Sequence, residues 1–131
     1  MEILRRFEAK TVVSLRVDPG ECIQDTLEKV VAEDGGNALV LTAIGSVSKL
    51  VVAVPRLSPG KENVEVITKE LEGTFELTSL IGGVGPAYAH KQANSHLHIA
   101  VFDHDGSVVG GGLRPGTTPW LPIQIQMLLH E

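Results

Sequence analysis

Apolar and polar residues alternate with two different periods along this chain, and the change of period divides it. T-V-V-S-L-R-V, Thr11 to Val17, alternates around β-branched residues and predicts a strand. After the D-P-G-E break, Ile23, Leu27, Val30 and Val31 recur at helical spacing, with Gln24, Asp25, Glu28 and Lys29 on the other side. Asp18 followed by Pro19 and Glu21 has the form of a cap and capping box, while Gly20 is equally compatible with a later start near Cys22. Gly35 and Gly36 end the helix.

From Asn37 onward the pattern is strand-like nearly throughout. Ala38 to Ile44 is almost continuously apolar and predicts a central strand. Lys49 to Val54 runs to the P-R-L-S-P-G break, and Val64 to Leu71 alternates less cleanly, as a partly exposed strand would. Phe75 to Ile81 sets Phe75, Leu77, Ser79 and Ile81 against Glu76, Thr78 and Leu80. G-G-V-G-P, Gly82 to Pro86, reads as a tight turn in preference to an anion loop, since no phosphate-loop lysine or amphipathic helix accompanies it. A polar, mobile-looking stretch, Tyr88 to Ser95, follows. In the last strand Ile123, Ile125, Met127 and Leu129 share one side, and the lead-in T-T-P-W-L-P suits an edge or a subunit contact. About seven strands with one main amphipathic helix predict a single α+β domain, residues 1–131, with a curved, mostly antiparallel sheet. Exposed sheet edges and the apolar C-terminal strand favour self-association.

The stretch Ser95 to Leu113 carries the candidate chemistry. His96 and His98 stand two apart in an otherwise apolar strand, so both imidazoles leave the same face. A three-residue loop, His104, Asp105 and left-handed Gly106, would set Asp103 against Ser107. Counting back from that pair places His98 opposite Gly112. Two imidazoles suit zinc, nickel or copper, but need a further ligand. His90 can fold back from the preceding stretch. His104 is some 20 Å from His98 at about 3.3 Å per residue. Histidines hydrogen-bonded in a small-ligand pocket, a metal pair and ordinary surface placement therefore all stand open. Arg114, just beyond the hairpin, is the candidate for an anionic partner group. Ser79, Ser95, Glu76 and Asp103 are further polar candidates, but their spacing names no catalytic triad.

Composition narrows this little. The formal net charge of −5 argues against broad affinity for nucleic-acid phosphates, although Arg5, Arg6, Lys10 and Arg16 make the first stretch basic. The single cysteine, Cys22, excludes an internal disulfide and a thiolate metal cluster. No apolar run has the length of a membrane span, and the first residues lack the apolar core of a signal peptide, so a cytoplasmic protein is expected.

Four strings, V-D-P-G-E, L-T-A-I-G-S-V-S, G-T-F-E-L-T-S-L-I-G and H-L-H-I-A-V-F-D-H-D-G-S-V-V-G-G-G-L, together resemble the PPC domain conserved between plants and prokaryotes. The resemblance runs over roughly residues 10 to 129. It implies a compact α+β domain that assembles as a homotrimer, and DNA association in members joined to AT-hooks. This chain has no R-G-R-P hook core; its nearest string is R-P-G, Arg114 to Gly116. Prokaryotic relatives resembling metal-site proteins pair H-x-H with a third histidine in G-G-H-L. Here His96 and His98 match the pair, and Gly112 stands at the third position. The residues and the resemblance together predict a homotrimeric, non-enzymatic binding or regulatory protein, with DNA association implied by the resemblance and a ligand pocket read from the residues at His96, His98, Gly112 and Arg114. The alternative is a metal-dependent enzyme or small-ligand protein, with zinc at His96 and His98.

Overall fold

The apolar stripe of the early helix sets the architecture, because Ile23, Leu27 and Val31 must be covered by a surface the strands supply. A computed structural model describes residues 1–6, 8–60 and 62–131. Strand β1 (Ala9–Val17) leads through a turn at Pro19 and Gly20 into helix α1 (Ile23–Asp34). The later of the two sequence-compatible starts is the one adopted: Cys22 is the N-cap, without a side-chain cap. Asp18 N–H instead donates to Glu21 Oε1 at 2.8 Å, closing the turn ahead of the helix. Gly35 ends α1 in the left-handed region, at φ 86°.

Strands β2 (Asn37–Ile44), β3 (Ser46–Leu57) and β4 (Val64–Val84) follow, then a single 3-10 turn at Pro86–Tyr88. The hairpin of β5 (Ser95–Phe102) and β6 (Val108–Leu113) precedes β7 (Thr118–Pro119) and β8 (Ile123–His130). The fold is α+β, one eight-stranded sheet in the order β1-β8-β2-β4-β5-β6-β3-β7 and one helix. Every pairing is antiparallel. An additional β3–β4 pairing curls the sheet until β3, β4, β5 and β6 form a closed ring.

Four expectations change. Val64 to Leu71 and Phe75 to Ile81 are one 21-residue strand, since β4 pairs with β3 along its first part and with β5 and β2 along its last. Gly82 and Gly83 belong to that strand rather than to a turn. A bulge between Leu77 and Ser79 breaks the alternation read for Phe75 to Ile81. Leu77 and Leu80 are therefore both buried, and Ile81 turns outward at 56% exposure. The last strand is not left over for association: β8 lies between β1 and β2, and Ile123, Ile125, Met127 and Leu129 fill the core. Only its lead-in, β7, forms an edge, as the prolines require.

The core is one cluster. Ile23, Leu27 and Val31 of α1 join Val17, Ala38, Val84, Leu97, Ile99 and the apolar side of β8. Burial of that size holds β5 firmly by one face, leaving the alternate residues of the same strand on the other.

Candidate functional site

The β5–β6 hairpin fixes the histidines. Asp103 and Ser107 close it, with Asp103 N–H donating to Ser107 O at 3.0 Å and Gly106 left-handed at φ 78°. Asp103 Oδ1 accepts from the Asp105 and Ser107 N–H groups, so the loop orders itself. The resulting register pairs His98 with Gly112, as the sequence predicts. Across the other edge of β5, His96 pairs with Gly83 and His98 with Ile81.

Ser95, Leu97, Ile99 and Val101 point into the core, and His96 and His98 point outward with their ring centroids 5.2 Å apart. His90 does fold back, through a tight turn in which His90 and Ala93 exchange two backbone hydrogen bonds of 3.0 Å. Its ring stacks on His96 at 4.1 Å and 5°. The polar stretch before β5 is thus tied down at the site. His104 is remote at the hairpin tip, its side chain 86% exposed beside Asp105.

The three consecutive glycines of β6 have different duties. A Cβ on Gly110 would stand 2.2 Å from Ile99 O, and one on Gly111 would stand 2.6 Å from Ala53 O. Both glycines therefore let β6 slip between β5 and β3. At Gly112 the nearest atom is the Arg114 Nη1, 3.2 Å from the Cβ position. The space left by the missing side chain is bordered by a guanidinium. Arg114 is held there by its N–H to Val51 O and by Nη1 donating to Leu113 O, both at 3.0 Å.

These residues line a groove of about 480 Å³ with Ser79, Ile81 and Lys91. The β4 bulge is what brings Ser79 and Ile81 to it. Among the described residues lining it there is no carboxylate. The His96 pKa is lowered from its ordinary value, first by partial desolvation and then by the neighbouring His90, His98 and Arg114. Lys91 went unnoticed in the sequence, because one lysine in a polar loop has no periodic or motif signal. Glu76 and Asp103 lie outside the groove, and no nucleophile–base pair forms between Ser79 or Ser95 and a histidine.

A zinc site needs donors that converge at about 2.0–2.1 Å. Stacked, nearly parallel His90 and His96 rings direct their in-plane lone pairs side by side instead of to a common point. Gly112 offers no donor, and a cationic guanidinium borders its place. Among the described residues no group of three or more His, Cys, Asp or Glu side chains is placed to hold a metal ion. The arrangement does not fit a three-ligand zinc centre.

A model of the Plants and Prokaryotes Conserved (PCC) domain matches residues 4–129. The chain belongs to this family. The PCC domain, also abbreviated PPC, accounts for the fold. The metal-containing protein AF0104 from Archaeoglobus fulgidus is 27% identical, with a TM-score of 0.75, over 100% of this chain and 86% of that one. A provisionally named DNA-binding protein from Bacteroides thetaiotaomicron, 18% identical, shares the fold with a TM-score of 0.71 over 94% of this chain and 83% of that chain. The bifunctional protein GlmU from Synechococcus sp. (strain JA-3-3Ab) is 34% identical over 106 residues, 80% of this chain. That match spans 15% of the length of GlmU, so the likeness concerns one segment of it. No helix among the described residues is long and apolar enough to cross a membrane.

Proposed function

We propose that this PCC-domain chain is a non-enzymatic, self-associating binding protein whose ligand is a small molecule bearing an anionic group. The observation that carries the reading is the groove over Gly112. It gathers His96, His98, Lys91 and Arg114 with no carboxylate among its described lining residues. Desolvation by a ligand strengthens such charge-assisted hydrogen bonds, and a guanidinium offers a planar fork to a carboxylate or phosphate. The position vacated at residue 112 gives the anion room beside Arg114.

Self-association, as the homotrimer the family resemblance implies, is supported by the outward apolar residues. Ile81 is 56%, Leu41 52% and Ile44 69% exposed. Leu41 follows directly on the Val40–Gly82 pair, and Ile81 pairs with His98, so this apolar row leads to the edge of the groove. A subunit boundary there would cover the row and deepen the site.

DNA association draws less support from the surface. Of the basic N-terminal residues, Lys10 is paired with Asp34 and Arg16 with Asp18, and Arg5 lies over the Tyr88 ring. The net charge of −5 further opposes phosphate-backbone affinity.

Calorimetric titration with propionate and with inorganic phosphate tests the proposal, with native mass spectrometry reporting subunit count and retained metal. Wild type is expected to bind one anion per subunit. Arg114→Gln should weaken binding about tenfold or more, the loss of a charge-assisted hydrogen bond worth about 1.5–3 kcal/mol. Unchanged affinity in that variant, stoichiometric zinc, or salt-sensitive duplex DNA binding in place of anion binding would overturn it.

A further inference from the structure

A second groove, of about 600 Å³, adjoins the first and shares His90, Lys91, His96 and Arg114 with it. Its other wall is the start of α1, which contributes Gln24, Asp25 and Glu28. The two walls carry opposite charge, yet none of Asp25, Glu28, Lys91 and Arg114 takes part in an ion pair among the described residues. Glu28 is oriented without being neutralised: Ser95 Oγ donates to its Oε1 at 2.7 Å, and Gln24 Nε2 approaches the same oxygen at 3.5 Å. That approach fixes the amide of Gln24 with its nitrogen toward the carboxylate. Gln24 is 4% exposed, and its Oε1, left on the other side, is buried with no hydrogen-bond partner.

We infer that the ligand is zwitterionic, an amino acid or short peptide whose ammonium group lies between Glu28 and Asp25 while its carboxylate meets Arg114 and His96. This rests on the anion-binding reading and adds the cationic end of the ligand. An ammonium supplies three donors, enough for both carboxylates together. The turn that carries Lys91 to the opposite wall holds it at φ 55°, the one described non-glycine residue with a positive φ. Backbone held in that region persists where surrounding contacts impose it, and it is concentrated at ligand sites.

The test compares L-alanine, L-alanyl-L-alanine and propionate by calorimetry on the full chain. At least one of the two zwitterions is expected to bind about tenfold or more tightly than propionate, and whichever binds more tightly tells a free amino acid from a peptide. Glu28→Gln keeps the acceptor for Ser95 but removes the charge, and should abolish that preference while propionate binds at least as tightly as to wild type. Asp25→Asn should reduce the preference, and its melting temperature reports whether the fold is intact. Propionate binding with no preference for either zwitterion would overturn this inference and leave the anion reading standing. Binding of none of the three would overturn both. A preference that survives Glu28→Gln would place the ammonium elsewhere and also overturn it.

Discussion

The two faces of β5 differ more than any two strands of the molecule do. Leu97, Ile99 and Val101 on one face are 3%, 2% and 0% exposed, part of the core cluster that also holds residues of α1 and β8. His96 and His98 on the other stand free of the core and face Arg114 and Lys91 across a groove. One strand thus serves two masters, with folding assigned to the odd positions and recognition to the even ones. The contrast teaches that the histidines are not needed to hold the fold, so their chemistry can be altered without losing the scaffold.

The largest effect should come from the inner face. Ile99→Ala is expected to lower unfolding free energy by about 2–5 kcal/mol in denaturant titration. On the groove side, Gly110→Ala should also be severe, since its new Cβ would meet the Ile99 backbone oxygen, which cannot swing away. On the same side, a Cβ from Gly112→Ala would stand 3.2 Å from the end of the Arg114 side chain and in ordinary contact with Ala53 O, so the variant should fold normally, within about 0.5 kcal/mol of wild type. Equal loss of stability at Gly110 and Gly112 would contradict the different crowding of these two positions on the groove side. A sharper version is Gly112→His, which restores a side-chain donor directly opposite His98. That variant should retain zinc after dialysis, measured by elemental analysis, where wild type retains none; zinc in neither, with the variant folded, would contradict the assignment of the vacant position. The smallest effects belong to His96→Ala and His98→Ala. Each should shift stability by no more than about 0.5 kcal/mol while weakening anion binding.

Much of this was legible in the residues. Period-two alternation in S-H-L-H-I-A-V-F and the D-H-D-G loop together place His98 opposite Gly112, because hairpin geometry leaves one register once the glycine is left-handed. The helix and the apolar side of β8 were legible for the same reason. The β4 bulge was not: G-T-F-E-L-T-S-L-I alternates well enough to hide the extra residue, and only the competing demands of β3 and β5 on one strand expose it. Nor could sequence pair α1 with the turn before β5. Gln24 and Glu28 reach that groove by tertiary packing alone, some 67 residues from Ser95 in the case of Glu28.

Protonation links the outer face to its ligand. The depressed His96 pKa means the unfolded chain takes up a proton first as pH falls below about 6.5, so His96 contributes stability above that pH which is lost as pH falls toward its folded value. A bound anion reverses the neighbouring positive charges and favours the imidazolium, so anion binding should take up protons and strengthen as the solution is acidified. Histidine-detected NMR titration of the ring signals, with and without phosphate, measures this directly. The account predicts a His96 pKa that starts below 6.5 and rises when phosphate is added, with the rise much reduced in Arg114→Gln; a His96 titration that phosphate leaves in place would contradict it.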